Sequence, residues 1–463
     1  MTSQADGSNP LLNAPLVPLL ARLALPNMVG MMAGSLAAIA ETFYVGQLGV
    51  PALAGMAIVF PFIMLQMMLS GGAMGGGVSA AVARALGAGD AVRANALAAH
   101  AFWIAVAAGL VTTAVMLALG PALFAALGGS GSALAQALAY AGIAFLGATG
   151  LWLTNILAAV LRGSGNMKVP ATTQLATSAA QVLLGGALGL GWGPLPRLGM
   201  AGVAAGQVIA SAIGAIVLAR FLMSGRAAIR LDLRQPLVRA HFTDILRIGA
   251  VACISPVQSV LTIVILGRLV AGFGATALAA YGIGTRLEFL LTPLAFSFGV
   301  AAVPVVGTAI GAGEFGRARR AAWTGAAMAG TGLGTLGLVL AIWPGLWTRL
   351  FTDDPATLAV AAQYFGWAGP GFGLFGAALC LYFASMPAGR VGAMVLAGTL
   401  RLAVVIAGGV WLGMHTAPLW TVFALILLAT TSFGLASVLA MWRSRWGPAA
   451  LSTAASRPAM AAQ

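Results

Sequence analysis

Charge is what this sequence has least of. Only 7% of its 463 residues are Asp, Glu, Lys or Arg, where a soluble domain carries about 25%. A soluble fold of this length needs a polar skin over its core, and 23 Lys and Arg with nine acids cannot supply one. Soluble enzymes and disordered chains are excluded together. Cysteine is nearly absent: Cys253 and Cys380 lie inside apolar runs. They offer no disulfide or metal framework, which excludes a secreted disulfide scaffold. The three histidines, His100, His241 and His415, fall near the ends of apolar runs, which argues against a histidine relay at depth. The first cation is Arg22, so no basic segment precedes a cleavable signal.

What is present in excess is apolar surface. Hydrophobic residues make up 60% of the chain and mean hydropathy is +1.00. A span needs about 20 apolar residues, and such runs recur from end to end, broken by short Gly, Pro and Arg punctuation. The pattern predicts an all-α polytopic membrane protein with twelve helices, at 23–45, 52–82, 95–120, 136–161, 169–193, 199–222, 248–271, 276–308, 321–343, 357–384, 391–413 and 418–442. The longest polar stretch, 224–246, divides them six and six. The expected organisation is an N-terminal segment (1–22), a first lobe (23–222), a linker (223–247), a second lobe (248–442) and a tail (443–463).

Positive charge orients the spans, because Arg-rich loops stay in the cytoplasm. With both termini inside, eighteen of the 23 Lys and Arg fall on the cytoplasmic side. Arg197, Arg268 and Arg349 fall outside, and Arg286 and Arg401 fall within spans. The halves also repeat each other. Gly87-Ala88-Gly89-Asp90 with Arg93-Ala94 returns as Gly311-Ala312-Gly313-Glu314 with Arg317-Ala318, a shift of 224 residues. Arg22 returns as Arg247, and Leu53-Ala54 as Leu278-Ala279, at a shift of 225. Six helices per copy give both copies one orientation. Transporter sites lie near the midplane between such repeats, and alternating access uses the duplication directly.

Several motifs then come into register. They are Leu25-Pro26 in helix 1, Glu41-Thr-Phe-Tyr-Val-Gly46-Gln-Leu-Gly49 at its outer end, and the Gly87–Asp90 turn. Leu161-Arg162-Gly163-Ser-Gly165-Asn166-Met-Lys168-Val-Pro170 joins helices 4 and 5, and Leu198-Gly199-Met-Ala-Gly202 opens helix 6. In order and spacing this set resembles the multidrug and toxic compound extrusion (MATE) family over nearly the whole chain. The resemblance implies two pseudo-symmetric six-helix lobes forming a V, in a bacterial inner membrane. It implies export of amphipathic, cationic compounds driven by inward H⁺ or Na⁺, by a monomer needing no metal, cofactor or nucleic acid.

Of the nine acids only Glu41 and Glu288 fall within spans. An ionisable group at depth costs roughly 2.5–3.5 kcal/mol on insertion scales and is a functional candidate. Apolar surroundings favour a carboxyl's neutral form, so an acid there can load a proton on one side and release it on the other. In many MATE proteins an Asp stands where Glu41 stands and couples the cation. One branch of the family surrounds it with an Asn and a second Asp on helix 5 and a Thr on helix 6. The matching positions here are Gln181, Gly185 and Gln207. With the second carboxylate missing, the departure favours H⁺ over Na⁺. The plainer role for the two glutamines is interhelical hydrogen bonding, worth about 0.6 kcal/mol each.

Glu288 allows two readings: a structural ion pair with Arg401 or Arg286, or a second-lobe site for a proton or a substrate cation. Pro26 removes one backbone bond inside helix 1. That is either a static kink or, as the resemblance implies, a bend coupled to protonation of the acid. Tyr44, Phe60, Met64, Tyr281 and Phe289 are candidates to stack on flat cations, with packing or lipid contact as the alternative for each. Gly332-Leu-Gly334-Thr-Leu-Gly337 fits a dinucleotide fingerprint but lies in an apolar helix with no strand before it. Ser70-Gly-Gly-Ala-Met-Gly-Gly-Gly77 lacks the Gly-Lys of a phosphate loop and reads as close helix packing. Rival functions are a lipid-linked precursor flippase of the same superfamily, an exporter of an endogenous metabolite, an intramembrane enzyme and a sugar-type facilitator. A flippase needs a cationic cavity, for which only Arg286 and Arg401 are available. The enzyme reading fails for want of paired acids at one depth, and the facilitator reading for want of a basic second loop.

Overall fold

A computed structural model describes residues 9–415, 417–444 and 446–447. Residues 1–8 of the expected N-terminal segment, and Arg445 and 448–463 of the expected tail, lie outside the described residues. The first half contains α1 (Pro10–Asn13), α2 (Leu16–Gln47), α3 (Val50–Met67), a π-helical stretch (Met68–Met74), α4 (Gly75–Gly87), α5 (Ala91–Ala126), α6 (Gly131–Leu146), α7 (Ala148–Gly163), α8 (Lys168–Leu190) and α9 (Met200–Met223). The second contains α10 (Arg239–Ala252), α11 (Ile254–Ala271), α12 (Ala275–Gly311), α13 (Phe315–Ile342), α14 (Gly345–Thr348) and α15 (Pro355–Ala368). A 3-10 turn (Gly369–Gly371), α16 (Phe372–Ser385), α17 (Val391–Met414) and α18 (Trp420–Trp442) complete it.

All twelve expected segments are helical. Among the described residues ten helices are long and apolar enough to cross a membrane, and α6 with α7, bent by 49° at their junction, makes an eleventh. The remaining segment is α8. Its 23 residues include Thr172, Thr173, Gln174, Thr177, Ser178 and Gln181, which dilute its apolarity. That polar content has a use, described below. Two segments begin earlier than hydropathy predicts. The first helix starts at Leu16, and the seventh at Arg239, inside the polar stretch expected to be linker.

The duplicated turn has a local cause. Gly89 (φ 75°) and Gly313 (φ 78°) adopt the left-handed conformation that ends a helix. Asp90 N–H then bonds to Ala85 O at 2.9 Å, and Glu314 N–H to Ala309 O at 2.8 Å, a Schellman closure in both copies. Asp90 goes on to cap α5, accepting from Arg93 N–H at 2.8 Å. Asp354 caps α15 likewise, accepting from the Thr357 hydroxyl at 2.6 Å and its N–H at 2.9 Å. Those bonds hold its carboxyl below the ordinary range.

The chain folds into two compact units. One comprises residues 25–250, the other residues up to 24 together with 251 onward. In the first, α8 and α9 touch backbone to backbone. A Cβ on Gly206 would stand 2.3 Å from Gly185 N, and one on Gly202 would stand 2.3 Å from Leu188 O. Small residues permit such approach in membrane proteins. In the second unit the false dinucleotide fingerprint is a packing seam. Gly334 faces Gly373, and a Cβ on Gly337 would stand 2.2 Å from Gly369 O.

Candidate functional site

The acid of α2 is placed by a glycine stripe. A Cβ on Gly30 would meet Ala171 Cα at 3.2 Å, and one on Gly34 would meet the Gln174 amide at 3.6 Å. Gly30, Gly34 and Glu41 are spaced four and seven apart and share one face of α2. On α8, Ala171, Gln174 and Gln181 are spaced three and seven apart and share the facing side. The same register, running on, brings Glu41 to Gln181, whose side chain hydrogen-bonds to its carboxyl. Gln174 and Gln181 thus belong to the face of α8 toward α2, while Thr177 packs against Gly214 of α9.

Glu41 is 4% exposed. Its Oε1 is fully buried and has no hydrogen-bond partner. Tyr140 on α6 is fully buried and within electrostatic reach of Glu41. The Tyr140 hydroxyl donates to Gln207 Oε1 at 3.0 Å. Gln207 sits on α9 next to Gly206, at the point where α9 meets α8. The four groups thus come from four helices: an acid, two amides and a phenol. The other acids of this unit, Asp90, Asp232 and Asp244, lie in turns or near helix starts. Gly185, the position at which the second carboxylate is missing, is buried in the α8–α9 seam.

A carboxylate without a counter-charge is too costly to keep in an apolar interior. The group is stable there when neutral, or when a cation joins it. Amides and a phenol satisfy a neutral acid well but give a cation few hard, charged oxygens. Tyr140→Phe should leave Gln207 Oε1 without its donor. The expected loss is about 0.6–1.5 kcal/mol of stability, readable as a lowered unfolding midpoint in detergent.

Tyr44 lies one turn beyond Glu41 on α2, 9% exposed. Its ring meets Trp192 edge-on at 5.7 Å. Phe60 packs against the same apolar cluster as Tyr44, and Met64 is half-buried. Pro26 lies within α2, which runs unbroken from Leu16 to Gln47.

In the other unit the structure divides the second candidate set. Tyr364, fully buried on α15, donates its hydroxyl to Glu288 Oε1. Tyr281 meets Tyr364 edge-on at 5.8 Å. Gly284 admits this packing, since a Cβ there would stand 2.2 Å from the Tyr364 ring. Arg401 is within electrostatic reach of Glu288 without closing on it as an ion pair. The Arg401 guanidinium instead lies over Phe375 at 5.7 Å and Phe433 at 5.9 Å, with Nε buried and unpartnered. Arg286 is not part of this group. It is exposed and lies over Phe351 at 5.3 Å. Phe289, next to Glu288 on α12, is half-buried.

Sequence reasoning missed two partners, Tyr140 and Tyr364. Each is a tyrosine inside an apolar helix, where a hydroxyl at depth needs an acceptor. It also read Ser70–Gly77 as packing alone. Residues 68–74 are π-helical, a form that recurs at functional sites. Ser70 donates to Gln66 O at 2.7 Å and accepts from Asn155 Nδ2 at 2.8 Å.

Comparison with known proteins places this architecture. The MatE family profile matches the chain twice, over residues 26–188 and 249–411. A probable multidrug resistance protein NorM of Deinococcus radiodurans is 32% identical over 368 residues, covering 75% of this chain and 76% of that protein. An FAD transporter of Shewanella oneidensis is 28% identical over 363 residues, covering 76% of this chain and 78% of that protein. A solved Pyrococcus furiosus transporter of the MOP superfamily superposes with a TM-score of 0.85 at 20% identity, over 95% of this chain and 97% of that one.

Proposed function

The chain belongs to the MatE family of multidrug and toxic compound extrusion transporters, and from that membership we propose a secondary antiporter. It exports amphipathic, cationic drugs or toxic compounds while a proton moves inward through Glu41. The observation that carries this reading is the buried, half-satisfied carboxyl of Glu41, framed by Gln181, Gln207 and Tyr140. Pro26 lies fifteen residues before it on the same helix, where loss of one backbone bond lets the helix bend as the acid changes charge. The neutral surroundings of Glu41 favour H⁺ over Na⁺. The Arg asymmetry favours an inner-membrane setting with both termini cytoplasmic. The protein is read as a monomer.

The test is transport by purified protein in proteoliposomes. An imposed pH gradient should drive uptake of a fluorescent organic cation, and a sodium gradient of equal size should not. Uptake driven by sodium alone would overturn the choice of ion. The guanidinium of Arg401, at 5.7 Å from the Phe375 ring and 5.9 Å from the Phe433 ring, favours a second reading, export of an anionic aromatic metabolite. The FAD transporter among the relatives points the same way. On that reading FAD, and not the organic cation, is carried, and Arg401→Gln abolishes its transport.

A further inference from the structure

The two repeats do not coincide with the two compact units. The chain passes from one unit to the other at Ala24–Leu25, inside α2, and again at Ala250–Val251, inside α10. These points are 226 residues apart, against a motif shift of 224 to 225. They are equivalent positions in the duplicated halves. Each repeat therefore sends the start of its first helix, and the segment before it, into the unit built mainly from the other repeat. Burial follows the same correspondence. Leu20 and Ile245, 225 apart, are both 0% exposed, and Leu23 and Ile248 are 9% and 6% exposed.

The leading segments are held by equivalent residues. Arg317, at the start of α13, donates from Nε to Leu11 O at 3.0 Å and from Nη2 to Ala14 O at 2.7 Å. Its repeat counterpart Arg93, at the start of α5, pairs with Asp244 on α10. The second segment has further holds. Asn95 Oδ1 accepts from Arg230 N–H at 2.8 Å. His100, fully buried, accepts at Nε2 from Val238 N–H at 2.8 Å while its Nδ1 meets Ala96 O at 2.7 Å. The neutral tautomer with hydrogen on Nδ1 satisfies both contacts. His241 and Phe242 close on the ring edge-on, at 5.0 and 4.7 Å. Each crossing also lies beside a weak point in the helix. Pro26 follows the first by two residues, and the turn at Cys253, between α10 and α11, follows the second by three.

We propose that Arg317 in one unit, and Arg93 with His100 in the other, are positioning residues that tether the leading segment of the opposite repeat, so that the first helix of each repeat starts from a fixed register. An exposed ion pair holds little by itself, so its role is to fix register and not to supply stability. The transport arm below rests on the antiporter reading. The exchange arm does not.

Hydrogen–deuterium exchange on the full chain in detergent reads the tethers directly. Arg317→Ala should raise exchange across residues 9–20 by about tenfold and leave 226–245 unchanged. Arg93→Asp should do the converse. Unchanged exchange in those segments would overturn the proposal. In proteoliposomes, Arg93→Asp and Asp244→Arg should each lower the maximal transport rate with KM unchanged, and the double variant should recover it. The unfolding midpoint of each single variant should stay at the wild-type value while its rate falls, which a merely structural role would not give. Single variants with the wild-type rate, or a double variant with wild-type exchange that stays slow, would also overturn it. If the wild type carries nothing under any gradient, the antiporter reading fails and the exchange arm alone decides the tethers.

Discussion

Glu41→Gln should abolish drug resistance in an efflux-deficient host while the protein accumulates to its normal level. Glutamine keeps the shape of a neutral glutamic acid and retains a partner for Gln181, so folding has no reason to fail. What it removes is the one carboxyl buried within a span of that unit, the group that would bind and release the transported proton. Glu41→Asp should retain part of the resistance. Its carboxyl is still titratable, but it is withdrawn by one methylene from the Gln181 amide. Growth curves across a dilution series of a cationic dye, with membrane abundance measured on the same cells, separate the cases. Resistance at the wild-type level in the Gln variant would remove Glu41 from the mechanism.

The second large effect is expected far from any charge. Gly206→Ala puts a methyl group 2.3 Å from the backbone nitrogen of Gly185, where no side chain can yield. The helices α8 and α9 must separate, and with them Gln181 and Gln207. Overpacking of this kind costs about 1–3 kcal/mol. The variant should unfold at a lower temperature in detergent, and what remains folded should transport poorly. Gly142→Ala is the control, because nothing stands within 4 Å of its Cβ position. Equal unfolding midpoints for the two variants would contradict the account of this seam.

The twelve segments were legible because membrane spanning forces long apolar runs, and because two copies of one turn, Gly87–Asp90 and Gly311–Glu314, fixed the repeat. Glu41 was legible for the same reason: in so apolar a chain an acid within a span stands out. Its frame was only half visible. Gln181 and Gln207 came from matched spacing, whereas Tyr140 is one aromatic among many in apolar helices until its hydroxyl is seen to reach Gln207. Arg286 and Arg401 looked alike in sequence. They part because a residue two positions from Glu288 points to another side of the helix, while Arg401, from a distant helix, comes within reach of it. The early starts of α2 and α10 could not be read from hydropathy. The first, Leu16–Ala21, is apolar but interrupted by Pro18 and buries Leu19 and Leu20, while the second, from Arg239, is polar and is held by the Arg93–Asp244 ion pair and by His100 packed on His241 and Phe242.

The central claim is that drug and proton compete through Glu41, and the direct measurement is proton release on binding. Purified protein in weakly buffered detergent at neutral pH is mixed with an organic cation while a pH dye is followed. Linkage requires that a drug which binds the deprotonated form expel the proton. The wild type should acidify the solution in step with binding, and Glu41→Gln should bind without acidifying it. Equal acidification by the variant, or saturable binding by the wild type with no proton released, would contradict the account.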